Sequence, residues 1–209
     1  MTNYHSFDLF PTPFLCCKSV LDKSQQQAFI DHFQSLNTLE NNRSTQLSHS
    51  RIISHTQDPL LLELTHLLTP HLSKMGSMLF GEDLTWIIKE LWINILNTGG
   101  HQSVHNHSNS FVSGVLYLTD THESARILFI KSLSGNEFIF RNNHQHSVTT
   151  AYNAERWMAP DIEAGDLVLF PSYLLHEVPV NQGGLRITIA FNAVPERLNS
   201  WGYHINFSK

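Results

Sequence analysis

The chain changes texture near its middle. Over the first 85 residues apolar positions recur at helical spacing. From about Trp86 they alternate, or run in short blocks rich in β-branched and aromatic types. Ala28, Ile30, Phe33 and Leu36 predict a helix running to about Leu36, behind the N-cap candidates Asp22 and Ser24. Asp58-Pro59 opens a second helix with proline at its first position, and Leu60, Leu61, Leu64, Leu67 and Leu68 make its apolar stripe. Pro70 interrupts that pattern; its missing N–H predicts a kink or split before the segment ends at Gly76 or Gly81. Phe10-Pro11-Thr12-Pro13 predicts extended chain, and the polar residues 37–57 a loop.

Candidate strands are 86–97, 111–118, 126–130, 137–141, 148–152, 167–171, 186–193 and 203–207, separated by Gly, Pro, Asn and Asp clusters. Two helices followed by about eight strands give an α+β class, a sandwich or jelly-roll barrel buttressed on one face by the N-terminal helices. The expected organisation is one domain over 1–209, with a helical flank at 1–85 and a β core at 86–209. The long stretch 131–161 is a candidate lid over a site mouth, with Trp157 and Met158 as substrate contacts or core.

Composition sharpens this picture in two ways. The 14 histidines outnumber the 13 Lys plus Arg, so if the chain binds a metal, imidazole must do most of the work. The two cysteines, Cys16 and Cys17, are adjacent and fit neither a disulfide framework nor a CxxC zinc site. No signal peptide and no apolar run of roughly 18 residues is visible, so a cytoplasmic, non-membrane protein is expected. A net charge of −5 argues against duplex nucleic acid as a partner. The oligomeric state stays open, a homodimer among the options.

Three segments carry chemistry. In His101-Gln102-Ser103-Val104-His105-Asn106-His107 a strand would put His105 and His107 on one face, where two imidazoles can chelate a divalent metal; the alternative leaves them as exposed loop residues. The same parity would carry on through Asn109, Phe111, Ser113, Val115 and Tyr117, unless a bulge resets it. His176 follows the apolar strand of Gly165-Asp166-Leu167-Val168-Leu169-Phe170-Pro171, as a ligand or as a structural histidine. In Leu185-Arg186-Ile187-Thr188-Ile189-Ala190-Phe191-Asn192 alternation is clean. If the Arg186/Thr188/Ala190/Asn192 face lines a barrel, Arg186 is a buried cation that suits a carboxylate.

Together these segments resemble the 2-oxoglutarate/Fe(II)-dependent oxygenase superfamily, and more narrowly a bacterial and phage subgroup of it. The shared elements are Phe10 to Pro13 and Trp-x-Asn (Trp92, Asn94). They continue with H-x-H-x-x-S-x-x-S-G-V-x-Y (His105, His107, Ser110, Ser113, Gly114, Val115, Tyr117). Gly165 to Leu167, Phe170 to Ser172, His176 and R-x-T-x-x-x-N (Arg186, Thr188, Asn192) complete them. The resemblance implies a double-stranded β-helix core, a jelly-roll or cupin-like barrel. It implies Fe(II) held by His105, His107 and His176. It also implies 2-oxoglutarate held by Arg186 and Thr188, with Tyr117 on the same carboxylate and Asn94 and Asn192 nearby.

His107 stands where the superfamily carries Asp or Glu, so Fe²⁺, three neutral imidazoles and a 2-oxoglutarate dianion sum to zero charge rather than −1. The implied activity is a dioxygenase: O₂ and 2-oxoglutarate are consumed, succinate and CO₂ released, and a small-molecule, amino-acid or peptide substrate hydroxylated. The alternatives are a three-His cupin-like metal enzyme without 2-oxoglutarate and a non-catalytic β-barrel binding module. His101 is a candidate supporting or alternative ligand. His144 and His146 repeat the H-x-H spacing in what reads as a polar loop. An all-histidine site should lose metal as pH drops below about 6.5.

Overall fold

The computed structural model describes residues 5–34, 38–40, 46–50, 53, 58–132, 142 and 144–208. Strand β1 (Leu15–Cys17) precedes helix α1 (Lys23–Gln34); β2 (Thr38–Glu40) and β3 (Leu47–Ser50) precede α2 (Pro59–Phe80). Then come β4 (Trp86–Leu96), β5 (Gln102–His105), β6 (Val112–Tyr117), β7 (Leu128–Ile130), β8 (Arg156–Met158), β9 (Leu167–Pro171), β10 (Leu175–Val178) and β11 (Arg186–Pro195). A hairpin of β12 (Arg197–Ser200) and β13 (Tyr203–Asn206) closes the described chain.

Three layers result. A seven-stranded antiparallel sheet in the order β1-β9-β6-β11-β4-β3-β2 lies between the helices and a four-stranded sheet ordered β5-β10-β7-β8. Alternation decides which way each strand residue faces. Ile187, Ile189 and Phe191 of β11 join Leu91 and Ile93 of β4 against Phe29, Phe33 and the α2 leucines. Tyr117, Val168 and Phe170 face the other way, toward Phe129 and Val178 of the smaller sheet. This is the expected jelly-roll core with helical buttress.

Both helices start where their caps dictate. The Asp22 carboxylate accepts the Gln25 N–H at 2.8 Å while Gln25 Oε1 accepts that of Asp22 at 3.0 Å. Asp58 accepts from the backbone of Leu60 and Leu61, and Gly81 ends α2 in the left-handed conformation at φ 70°. Of the kink or split expected at Pro70, the split does not occur: α2 runs unbroken from Pro59 to Phe80. Leu61, Leu64, Leu68, Leu72 and Met75, on both sides of it, are buried in one core. Pro70 and His66, whose carbonyl loses its partner, are exposed, so water can serve that carbonyl.

Two further expectations are corrected. Residues 37–57 are not all loop. Leu47–Ser50 pairs with β4, Leu47 is buried, and the Ser50 hydroxyl accepts the Ile93 N–H, so the flank adds strands to the sheet. The window 148–152 is no strand: Val148 and Tyr152 are exposed, and Asn153 caps a turn at the Thr150 N–H. The strand comes later, at Arg156–Met158, as a short exposed edge. Candidate strand 137–141 and the end of the first helix at Leu36 lie outside the described residues.

Candidate metal centre

Strands β5 and β10 are antiparallel neighbours, and their register sets His105 directly opposite His176. The Nδ1 of His105 lies 2.8 Å from the Ser103 carbonyl, and that of His176 lies 2.9 Å from the Leu174 carbonyl. Because a carbonyl only accepts, both Nδ1 atoms carry the proton and both Nε2 atoms present lone pairs. Gln102 sends its amide nitrogen to within 3.3 Å of His105 Nε2.

His107 lies beyond the end of β5, where no ladder fixes it. Its backbone N–H donates to the Ser172 carbonyl at 3.0 Å. Its ring stacks on His176 (5.2 Å, 16°) with Trp92 5.7 Å away on β4, and its Nε2 is 3.3 Å from that of His176. One ring nitrogen from each histidine lies within 4.8 Å of the others, the donor set of a divalent transition metal. The expected face parity is interrupted here: Asn109 turns through φ 57° and Phe111 packs on the helix side, but Ser113, Val115 and Tyr117 of β6 face the interior again.

Burial lowers the pKa of all three imidazoles. The neighbouring histidines add to the effect for His107, which falls to about 4, and for His176, which falls to about 3. Against burial stand the Ser103 and Leu174 carbonyls, which favour the charged forms of His105 and His176, and Glu90, which favours that of His107. The rings are therefore neutral, the form that binds metal, well below the ordinary imidazole value. Phe129 and Phe170 pack against His176. His105, His176, Phe129 and Trp157 form one registered row across the smaller sheet.

The inner face of β11 carries Arg186, Thr188, Ala190 and Asn192, all buried, as alternation predicts. Thr188 pairs with Tyr117 on one side and Asn94 on the other. The Arg186 guanidinium carbon lies 5.1 Å from the Tyr117 ring centroid. Among the described residues Arg186 makes no ion pair, and its Nε and the Thr188 hydroxyl are buried without a hydrogen-bond partner. A buried cation beside an unpaired hydroxyl fits an oxyanion, a carboxylate among them. The residues present thus fit both groups the sequence implied, a metal at the imidazoles and a dicarboxylate reaching Arg186.

Asn192 is drawn elsewhere. Its Nδ2 donates to Glu90 at 2.9 Å and its Oδ1 accepts from Ser113 at 2.8 Å, so both polar ends are engaged within the protein. His101 is half-buried and outside the cluster, and His144 and His146 sit on an exposed loop with rings 6.0 Å apart. Trp157 and Met158 are 48% and 42% exposed, so neither is core. Sequence reading missed Glu90, Gln102 and Phe129. The one available signal was Glu90 itself, an acid beside Lys89 within a largely apolar strand pattern.

Three other motif residues, Asp166, Gly165 and Gly114, serve the fold. Asp166 accepts from Lys18 Nζ (2.6 Å) and from the backbone N–H of Ser19 and Glu163 (both 2.9 Å), pinning the N-terminal segment to β9. Gly165, at φ 91°, leaves no room for a Cβ against the Leu21 carbonyl. Gly114 lets the Phe191 ring lie flat across β6.

Residues 90–192 match the family model described as "Putative 2OG-Fe(II) oxygenase". No curated protein sequence matches the chain. Solved structures share the fold at low identity. HygX from Streptomyces hygroscopicus, with nickel and 2-oxoglutarate bound, is 15% identical over 88% of this chain and 83% of its own, with a TM-score of 0.65. The α-ketoglutarate-dependent epimerase SnoN from nogalamycin biosynthesis is 12% identical over 89% and 80%, at 0.62. A Pseudomonas putida prolyl-4-hydroxylase is 16% identical over 87% and 92%, at 0.56. No helix among the described residues is long and apolar enough to cross a membrane.

Proposed function

We propose that this chain, a 2-oxoglutarate/Fe(II)-dependent oxygenase by its signature and its fold, hydroxylates a small-molecule, amino-acid or peptide substrate. The observation that carries this reading is the pairing of two features in one barrel: three converging imidazole nitrogens, and a buried Arg186 that makes no ion pair among the described residues. His105, His107 and His176 hold the metal. Arg186 and Thr188, with Tyr117 beside them, take the remote carboxylate of 2-oxoglutarate, and Asn94 borders the same space. When bound, Fe(II) and 2-oxoglutarate together supply O₂ activation and oxidative decarboxylation. The protein's own part is orientation and exclusion of water. The Ser103 and Leu174 carbonyls fix two imidazole tautomers, and Phe129 and Phe170 keep the rings in an apolar setting. Trp157, at the exposed end of the row that carries His176, contacts substrate.

The test is succinate release from 2-oxoglutarate with Fe(II) and ascorbate, together with direct binding of 2-oxoglutarate. Absence of both overturns the reading; turnover that needs no 2-oxoglutarate favours the three-His cupin-like alternative. Product mass separates the chemistries. A hydroxylase adds one oxygen atom, an epimerase leaves the mass unchanged, and an oxidative ring closure removes two hydrogens.

A further inference from the structure

We infer that Glu90 is a positioning residue for His107, supplying from one layer out the negative charge that three neutral imidazoles lack. This rests on the metal-centre reading above. The pairing of β11 with β4 runs one to one from Arg186 opposite Leu96 to Asn192 opposite Glu90, then resumes at Ala193 opposite Ile88. Lys89 is the extra residue of a bulge. Ile88 and Leu91, three apart, therefore both reach the helix-side core. Glu90 falls instead on the inner face with Trp92 and Asn94.

Two chains of contacts then tie Glu90 to the segment carrying His107. Glu90 Oε2 accepts from Asn192, which accepts from Ser113; the Ser113 hydroxyl meets that of Ser172 at 2.8 Å, and the Ser172 carbonyl holds the His107 N–H. Glu90 Oε1 pairs with Lys89 Nζ at 3.0 Å, and the same Nζ donates to the carbonyl of Asn109, two residues past His107. Burial opposes the charge on Glu90, but the hydrogen bonds from Asn192 and Lys89 outweigh it and hold the carboxyl below its ordinary range. Glu90 and His107 are close enough that each perturbs the other's ionisation. His107, lacking a ladder, is the one ligand whose placement depends on this network.

The test is Co²⁺ titration of the metal-free protein, read by visible absorption, in four proteins: unaltered, Glu90→Gln, His107→Asp and the double variant. Glu90→Gln should weaken Co²⁺ binding by roughly tenfold at unchanged Tm. In the His107→Asp background the same change should weaken it less, because the ligand then carries its own charge and the second carboxylate adds only a smaller, more distant attraction for the dication. Equal affinity of Glu90→Gln and the unaltered protein overturns the inference, as does the same loss in both backgrounds. If His107→Asp does not fold, Glu90→Asp is the second arm: it keeps the charge and should recover most of the affinity, and no recovery overturns the inference. Lack of stoichiometric Co²⁺ in the unaltered protein overturns the metal-centre reading itself, a separate result read before any variant.

Discussion

His105 and His176 face each other as registered partners across the β5–β10 ladder, and each turns its Nδ1 to the carbonyl two residues before it. The ladder thus fixes both ring separation and tautomer before any metal arrives. Their burial also changes an expectation drawn from composition. Free imidazoles would surrender a metal as pH falls below about 6.5. Here proton competition sets in later, since His107 and His176 are held at about 4 and about 3. Affinity for Co²⁺ or Ni²⁺, titrated at fixed ionic strength from pH 8 to 4, should hold past pH 6 and fall steeply only as pH approaches the lowered values. A decline beginning at pH 6.5 would show that the rings are hydrated and ordinary.

The same shifts act on the metal-free fold. Unfolded imidazoles protonate near 6.5 while the folded ones resist, so below that pH the unfolded chain binds more protons. Stability contributed by these groups is complete above pH 6.5 and is lost as pH falls toward 4. Urea midpoints of the metal-free protein should drop over that window, and saturating metal should reduce the drop.

Arg186 combines burial with an orphaned Nε beside an orphaned Thr188 hydroxyl. Arg186→Met keeps the length and removes the charge. Losing a charge-assisted hydrogen bond of about 1.5–3 kcal/mol should weaken 2-oxoglutarate binding roughly 10- to 100-fold. Metal affinity should be unchanged, because Arg186 touches no imidazole. The unliganded variant should hold or gain stability, since an unpaired buried cation is itself costly. Calorimetry for 2-oxoglutarate and thermal melts without it check the two halves independently.

Legibility in the sequence followed the reach of each signal. Period-two alternation in β11 identified the buried Arg186/Thr188 face, and α2 was readable from its caps and leucine stripe. Spacing brought His105 and His107 together, but it could not show that they belong to different backbone regimes, one on a ladder and one held by Ser172. Strand β3 was hidden because a four-residue strand with one buried leucine has too little pattern. Pro70 left a split open because local cost was weighed without the core on either side. Glu90 escaped because a bulge is invisible until two strands are paired. What remained unreadable was set by long-range register, which no local window contains.

Gly114 explains why its motif position tolerates no side chain. A Cβ there would strike the Phe191 ring, which is fully buried and has no room to retreat. Gly114→Ala should cost about 1–3 kcal/mol by overpacking, read as a lower urea midpoint. Phe191→Leu in the same chain should return part of the loss, giving a non-additive double-mutant cycle. Additive losses would mean that the two residues do not meet.

Asp166 tests whether the Gly-Asp motif is structural. Its carboxylate is almost fully buried and serves Lys18 and two backbone N–H groups. Burial pushes its pKa up, but the hydrogen bonds from Lys18, Glu163 and Ser19 outweigh that and hold it below the ordinary carboxylate value. A depressed folded pKa means stability that is complete above the unfolded pKa of about 4 and lost as pH falls through the lower folded value. Asp166→Ala removes a charged acceptor from two backbone N–H groups and should cost about 1–3 kcal/mol at pH 7. Lys18→Ala should cost well under 1 kcal/mol, because that side chain is 55% exposed. The Asp166→Ala deficit should shrink as pH falls below 4, where the unaltered protein loses the same interactions. Denaturation midpoints at pH 7 and pH 3 for both variants measure it. A deficit that is constant with pH would assign the loss to packing rather than to the carboxylate.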